Sequence, residues 1–399
     1  MRILPHAAVL LLIVLPIWAN AQNPTIQQIV DAVNVDSLTW RLERLSGMQP
    51  VDVGNGAQTI LSRNKFQPGN ALAAQWLQQE FTRMGYAPEV QVFGAQGGNV
   101  LAVKTGLVHP ERKVVICGHY DSMPGGTTAP GADDDGSGVC AVMEAARVMA
   151  GHDFENTVVF ALWDEEEQGL IGSAYYTSAA AGNDEEILAA VQMDAIGYDG
   201  NGDGLMRIHT RPVANSIAIK DSVLMVNTIY GLGLPIVVNN PGATYSDHAS
   251  FWSEGYGAIL VIEDFDNDPN PHYHTSSDRM EYMDLAYWQG LTKLTIGTAS
   301  AMAVPVSATQ VSSAVLANAA EIELFPNPVR ELLHIRFDTS SATTTILSII
   351  DATGRDVGRP RSMENGSRTV DVSGLAPGAY IACLRSGRIV VSKRFLRLP

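Results

Sequence analysis

CGHYDSMPGGTTAPGADDDGSG, Cys117 to Gly138, joins a short β-branched run, KVVIC at Lys113 to Cys117, to a stretch with apolar residues at helical spacing, Val139 to Ala150. Strand, polar loop and helix in that order are the building unit of an α/β sheet. Ligands of such sheets bind in the crevice beyond the carboxyl ends of the strands, where His119 and Asp121 stand. The loop closes with Asp133, Asp134 and Asp135 before a Gly-Ser-Gly turn. Three adjacent carboxylates are compatible with a solvated acidic turn, with an N-cap cluster, or with a cation site. In the last case one aspartate, having two oxygens, can bridge two metals roughly 3.5–4 Å apart. The choice depends on whether further ligands stand elsewhere in the chain.

Outward from this stretch, strand and helix patterns alternate. An amphipathic helix is expected over Asn70 to Met84, closed by Gly85, after N-terminal helices carrying Ile26, Ile29, Val30, Val33 and Leu38. Strands are expected at Glu89 to Phe93, Val100 to Lys104, Lys113 to Cys117, Thr157 to Leu162, Ile187 to Met193, Pro235 to Val238 and Ala258 to Ile262. Further helices are expected from about Leu170 to Ala181, Pro212 to Tyr230 and Met283 to Met302. The fold class is therefore α/β, a mixed, mostly parallel sheet sandwiched by helices.

Composition narrows the partners. Of 399 residues, 46% are hydrophobic, enough for a large core and more than one domain. A net charge of −16 argues against nucleic acid or anionic lipid. Cys117, Cys140 and Cys383 show no close pairing, and the first two read as core residues. Residues 1–21, MRILPHAAVLLLIVLPIWANA, read as a secretory signal peptide cleaved before Gln22, with an apolar run shorter than the ~20 residues a span needs. No transmembrane anchor is expected, and the chain is read as a monomer.

Candidate ligands recur at the ends of the expected strands. WDEEEQG, with Glu165, Glu166 and Glu167, follows Val158 to Leu162; Asp194 follows Met193; NPHYHT, with His272 and His274, follows Ala258 to Ile262. Surface carboxylates scattered at random would not track strand termini. A second acidic stretch, DGNGDG at Asp199 to Gly204, matches the first half of a calcium loop and offers Asp199, Asn201 and Asp203 for Ca²⁺. Its twelfth position is Thr210 rather than glutamate, which favours an Asx-rich turn. Glu263, Asp264, Asp266 and Asp268 could add ligands or make the cleft acidic.

Taken together, GHYDS, PGADDDGSG, EEQGLIGS, QMDAIGY, SDHASF and NPHYHT resemble the motifs of the secreted bacterial di-zinc aminopeptidases related to leucyl aminopeptidase, over about Asn70 to Ala301. The resemblance implies a zinc-exopeptidase-like fold and two Zn²⁺ bridged by Asp134. His119 and Asp194 would complete one metal, Glu167 and His274 the other, with Glu166 as general base. Metal coordination lowers the pKa of a bound water towards ~7, giving a zinc-activated hydroxide that attacks the N-terminal peptide bond of a peptide substrate. Asp121 would take the second imidazole N–H of His119. Asp133 and Asp135 are expected to bond loop amides, His248 to be structural, and His272 to line the rim. Relatives use a tyrosine for the oxyanion where this chain has Ala243, so Tyr245 is the candidate here. A single-zinc glutaminyl cyclase and a non-catalytic surface binding protein are the alternatives.

After the domain at residues 22–302, residues 303–320 read as an Ala, Ser, Val and Thr linker. Residues 321–399 carry short strand patterns with turn signals, a small all-β sandwich. FPNPV, DATGRDV, LAPGAY and KRFLRL resemble the C-terminal sorting domain of the type IX secretion system. The resemblance implies that secretion machinery as a partner, and a product that is secreted or attached to the outer-membrane surface. A carbohydrate-binding or adhesive sandwich is the rival reading.

Overall fold

The computed structural model describes residues 22–95, 97–306, 323–337, 345–351, 357, 361–363, 366–386 and 389–398. The expected signal peptide and residues 307–320 of the expected linker lie outside the described residues. The chain begins with α1 (Pro24–Asp31) and α2 (Val35–Leu45). A short ladder of β1 (Val51–Asp52) with β2 (Ala57–Gln58) leads to α3 (Pro68–Arg83). Next come β3 (Glu89–Phe93), β4 (Gly97–Lys104), β5 (His109–His119), α4 (Gly136–Met149), β6 (Asn156–Trp163) and α5 (Ile171–Gly182). Then follow β7 (Glu186–Met193), β8 (Met206–His209), α6 (Ser216–Ile229), β9 (Ile236–Asn239), α7 (His248–Ser253), β10 (Ala258–Glu263) and α8 (Leu285–Ala303).

Local chemistry sets several of these boundaries. Asn23, Asn34, Asp135 and Asp284 accept first-turn amides as N-caps, and α3 stops where Gly85 takes φ +91°. The expected helix from Pro212 begins only at Ser216, because Val213 to Asn215 form a turn whose carbonyls accept the first amides.

Eight strands form one sheet in the order β3-β4-β6-β5-β7-β10-β8-β9. The pairs β6/β5, β5/β7, β7/β10 and β8/β9 are parallel; β3/β4, β4/β6 and β10/β8 are antiparallel. All residues of β6 and β10 are buried, as strands covered on both faces require. Alternate residues feed two cores. Val114, Ile116, Val158 and Phe160 join Leu42, Val142 and Trp288, whereas Val115, Cys117, Val159 and Trp163 join Tyr176 and Phe251. Helices α4 and α8 thus cover one face, α5 and α7 the other.

The N-terminal helices belong to the first core. Ile29, Val33, Leu38, Leu42 and Leu45 all lie in it. The fully buried Glu144 of α4 accepts from the Asn34 amide at 2.8 Å, Ser37 Oγ at 2.8 Å and Arg41 Nη1 at 3.1 Å. Residues 304–306, placed in the linker by composition, are held to the same domain: Val304 O accepts from Glu155 N and Val306 N donates to Asp153 O.

The C-terminal strands are β11 (Glu323–Phe325), β12 (Leu332–Phe337), β13 (Thr345–Asp351), β14 (Arg361–Met363), β15 (Gly366–Asp371), β16 (Gly378–Ser386) and β17 (Ile389–Arg397). They form two antiparallel sheets, β11-β12-β15 and β14-β13-β16-β17. Leu333 and Ile335 from one sheet and Leu347, Leu384 and Phe395 from the other share one core, so the module is a β-sandwich. Among the described residues no helix is long and apolar enough to cross a membrane.

Candidate metal centre

The sheet register lines up the centre. Cys117 of β5 is opposite Gln192 of β7, and Met193 of β7 is opposite Val261 of β10. Two residues past the first pair, His119 ends β5 and Asp194 leaves β7 on the same face. Asp134 comes in from the loop before α4, Glu167 from the loop after β6, and His274 from the loop after β10.

The two oxygens of Asp134 face different imidazoles. Oδ1 is 3.2 Å from His119 Nε2, and Oδ2 is 3.0 Å from His274 Nε2. His119 Nε2 also lies 3.7 Å from Asp194 Oδ1, and His274 Nε2 lies 3.1 Å from Glu167 Oε2. The five expected ligands therefore form two clusters, His119–Asp134–Asp194 and Asp134–Glu167–His274, with donor atoms of each within 4.8 Å.

The donor set fits a pair of divalent cations. Asp134 Oδ2, Glu167 Oε1 and His119 Nδ1 are buried with no hydrogen-bond partner of acceptable geometry. Among the described residues, none of Asp134, Glu166, Glu167 and Asp194 forms an ion pair with Lys or Arg. Such a concentration of unpaired buried charge is costly unless cations or protons supply the balance. Without a cation the imidazoles take that role. Burial favours neutral His119, but the charges of Glu166, Asp121, Asp134 and Asp194 outweigh it and push its pKa well above the ordinary value. His274, half-buried, is pushed up to about 10 when Asp134 and Glu167 outweigh its burial. Burial lifts Glu167 to about 7. Imidazole nitrogen and carboxylate oxygen are zinc ligands.

Asp121 is fully buried, with Oδ1 3.3 Å from His119 Nδ1, close but not aligned as a hydrogen bond. Its carboxylate also accepts from the amides of Glu166 at 3.1 Å and Glu167 at 3.2 Å. One side chain thus spans a ligand and the loop carrying the candidate base. Glu166 lies within that loop, and burial raises its carboxyl well above the ordinary range. Glu165, Ala195 and His274 adopt positive φ of 59°, 47° and 56°. Left-handed backbone in such residues costs of order 1–3 kcal/mol each and persists where surrounding structure over-determines it.

The neighbouring acids have structural work, as expected for Asp133 and Asp135. Asp135 Oδ2 accepts from the His119 amide at 3.0 Å, passing over Gly118, where a Cβ would stand 2.6 Å from that oxygen. Asp133 accepts from Gly197 N and from Asn270 Nδ2, each at 2.8 Å. Two residues that sequence reasoning missed, Asp278 and Asn270, support the centre. Asp278 accepts from the amides of Asp133 and Asp134, each at 3.0 Å, and so orients the loop that carries Asp134. Asn270 holds Asp133, and the Tyr273 ring stacks on His274 at 3.9 Å. Asn270 and Tyr273 belong to NPHYHT, and Asp278 follows it, so proximity to a ligand motif was the available signal.

Other expected residues are not members of the two clusters. His248 Nε2 donates to Ala243 O at 2.9 Å and is structural. His272 stacks on Tyr282 and bonds Ser277. Tyr245 is half exposed, its hydroxyl 3.3 Å from His209 Nε2. Because the Ala243 amide donates to His209 Nδ1 at 2.9 Å, the ring proton sits on Nε2 and is donated to the phenol oxygen. The phenol's pKa is raised by burial and by the charge of Asp194.

The DGNGDG side chains turn onto their own loop. Asp199 accepts from the amides of Gly202 and Gly204, Asn201 from Asp203, and Asp203 from Leu205. This is the Asx-rich turn, and none of these residues joins a candidate metal cluster among the described residues, so calcium has no support. Glu263 is buried beside Asp133, Asp264 and Asp266 pair with Arg207, and Asp268 caps the amides of Gly200 and Asn201.

The model for peptidase family M28 matches residues 99–299, and the model for the secretion system C-terminal sorting domain matches residues 323–397. A probable leucine aminopeptidase of Trichophyton verrucosum is 30% identical over 250 residues, covering 56% of this chain and 64% of its own length. The chain thus spans just under two thirds of that curated relative. The LapA aminopeptidase of Legionella pneumophila superposes with a TM-score of 0.60 at 24% identity, covering 70% of this chain and 75% of that one. Glutaminyl cyclase of Porphyromonas gingivalis shares the fold with a TM-score of 0.54 at 19% identity, over 67% of this chain and 98% of that one.

Proposed function

The chain belongs to peptidase family M28, and from that premise we propose that it is a secreted aminopeptidase removing N-terminal residues from peptides at a pair of zinc ions. One observation carries the reading: the two oxygens of Asp134 address two separate His-carboxylate clusters. A single-zinc cyclase needs only one of them. His119 and Asp194 would hold one ion, Glu167 and His274 the other, with Asp134 between. When bound, the ions supply Lewis acidity toward the scissile carbonyl and acidify the attacking water.

The chain's own groups do the rest. Glu166, in a buried setting that favours its protonated form, accepts a proton from that water and returns it to the leaving amine. Asp121 fixes the Glu166 loop against His119. Tyr245 receives a hydrogen bond from His209, which leaves its own O–H free to donate to the carbonyl oxygen as charge develops there. In this reading residues 22–306 form the peptidase domain and residues 323–397 the sorting domain.

The test is release of aniline from aminoacyl anilides with and without chelator, alongside zinc content per chain. Hydrolysis abolished by chelator and restored by zinc is expected; chelator-insensitive release overturns the reading. Glu166→Gln should retain both zincs while kcat falls by about 10²–10⁴. Full turnover in that variant would exclude Glu166 as the proton carrier.

A further inference from the structure

Beside the loop that carries Glu166 lies a cleft of about 740 Å³ lined by Lys65, Phe66, Phe93, Glu165, Ile171 and Tyr175. Its volume is in the range of small-ligand pockets. Its wall presents large apolar side chains to solvent: Phe66 is 73% exposed, Tyr175 47% and Ile171 37%. Exposed aromatics gathered in one concave place mark a recognition surface more often than chance. The rings are ordered by one another, with Tyr175 packed on Phe93 at 5.6 Å.

The charge in the cleft is balanced, in contrast to the neighbouring metal centre. Glu165 precedes the candidate base, yet its carboxylate is taken up by Lys65 Nζ at 2.8 Å. The same ammonium lies 5.2 Å from the Phe66 ring. An acidic group adjacent to Glu166 in the chain is thereby neutralised, and the cleft offers an apolar surface where a bare carboxylate would repel one.

We propose that this cleft receives the apolar, preferably aromatic, side chain of the residue that follows the scissile bond. The inference rests on reading Glu166 as the group that returns a proton to the leaving amine. To do so, Glu166 must come within hydrogen-bond reach of that nitrogen, roughly 2.6–3.2 Å. The residue carrying the nitrogen therefore departs along the Glu166 loop, and Glu165 and Ile171 of that loop open directly into the cleft. Binding energy gained there acts on the leaving group and assists its orientation.

The experiment compares kcat/KM for Leu-Gly-amide and Leu-Phe-amide, using the zinc-loaded full chain and a Phe66→Ala/Tyr175→Ala variant. Both substituted side chains are substantially exposed, so the variant should fold. The intact protein should favour Leu-Phe-amide by about five- to twentyfold, the worth of burying part of an aromatic ring. In the variant that preference should collapse to about twofold or less, with Leu-Gly-amide cleaved as before. Equal rates on both peptides in the intact protein, or a preference that survives the double substitution, would refute the cleft while leaving the aminopeptidase reading standing. Failure to cleave either peptide would remove that reading, and the cleft's assignment with it.

Discussion

Asp121 shows how much of the centre depends on a residue that binds no metal in the proposed scheme. Its carboxylate faces the His119 imidazole and holds the amides of Glu166 and Glu167, so it sets one ligand's orientation and the placement of another ligand together with the base. Asp121→Asn removes the charge that favours the His119 N–H and leaves only one oxygen for the two amides. Loss of such a partner costs about 10- to 100-fold in metal affinity or activity. Zinc titration and kcat/KM of Asp121→Asn should both show a loss of that size, and the melting temperature of the zinc-free protein should fall by a few degrees because one buried amide loses its acceptor. The five candidate ligands, Glu166 and Asp121 could be named from sequence because they stand in dense motifs near strand ends and those motifs resemble a known family's, and the fold brings the five together in two clusters. Asp278, Asn270 and His209 could not be so named. They act through backbone amides or another side chain, and a lone Asp or Asn in a loop has the same appearance whether or not its carboxylate or amide is so used.

At the scale of elements, the alternation of strand and helix was readable from apolar spacing, and the boundaries differ by a few residues. Within the eight-stranded sheet one strand, β8, escaped, as did the two-residue β1 and β2 outside it: the four residues of β8, MRIH, carry two polar side chains and follow a glycine-rich turn. Strand β8 runs antiparallel to β10, and this makes the sheet mixed on that side. Helix α7 is short, and its first residue anchors it. His248 donates to Ala243 O and packs edge-on against Trp252 at 4.5 Å, while its Nδ1 is buried without a partner. Burial therefore depresses its pKa to about 3. The unfolded chain takes up a proton below about pH 6.5 that the folded chain refuses until about pH 3, so this residue opposes folding increasingly as pH falls through that window. Above it the effect vanishes. The loss reaches on the order of 3–5 kcal/mol at the acid end. Urea unfolding of His248→Gln, which keeps an amide donor for Ala243 O, should show a shallower decline of stability between pH 6.5 and pH 4 than the parent chain. Parallel declines would remove His248 as the cause.

At the scale of the whole molecule, the described residues build two sets of separate cores. Every residue of the peptidase cores lies between Ile29 and Ala303, and every residue of the sandwich core between Leu324 and Phe395. Among the described residues no candidate ligand comes from beyond His274. The sandwich is small, near the lower size at which a domain folds alone. Its match to the secretion system C-terminal sorting domain would, in the proposed reading, give it a task separate from hydrolysis, namely directing the chain out of the cell or onto the outer-membrane surface. The division of labour has a consequence for truncation. A chain ending at Val306 retains the strap formed by Val304 and Val306 on Glu155 and Asp153, and among the described residues it keeps every member of the peptidase cores. Its kcat/KM on aminoacyl anilides should match the full-length value within about twofold, and its melting temperature should stay within a few degrees, as expected for removal of an independent domain. Expressed in a host with the secretion system, the truncated enzyme should accumulate inside the outer membrane, whereas the full chain reaches the medium or the surface. Activity appearing outside the cells without the sandwich would mean that export is encoded elsewhere in the chain. A truncated enzyme that melts far below the full-length protein would mean that the two bodies stabilise each other.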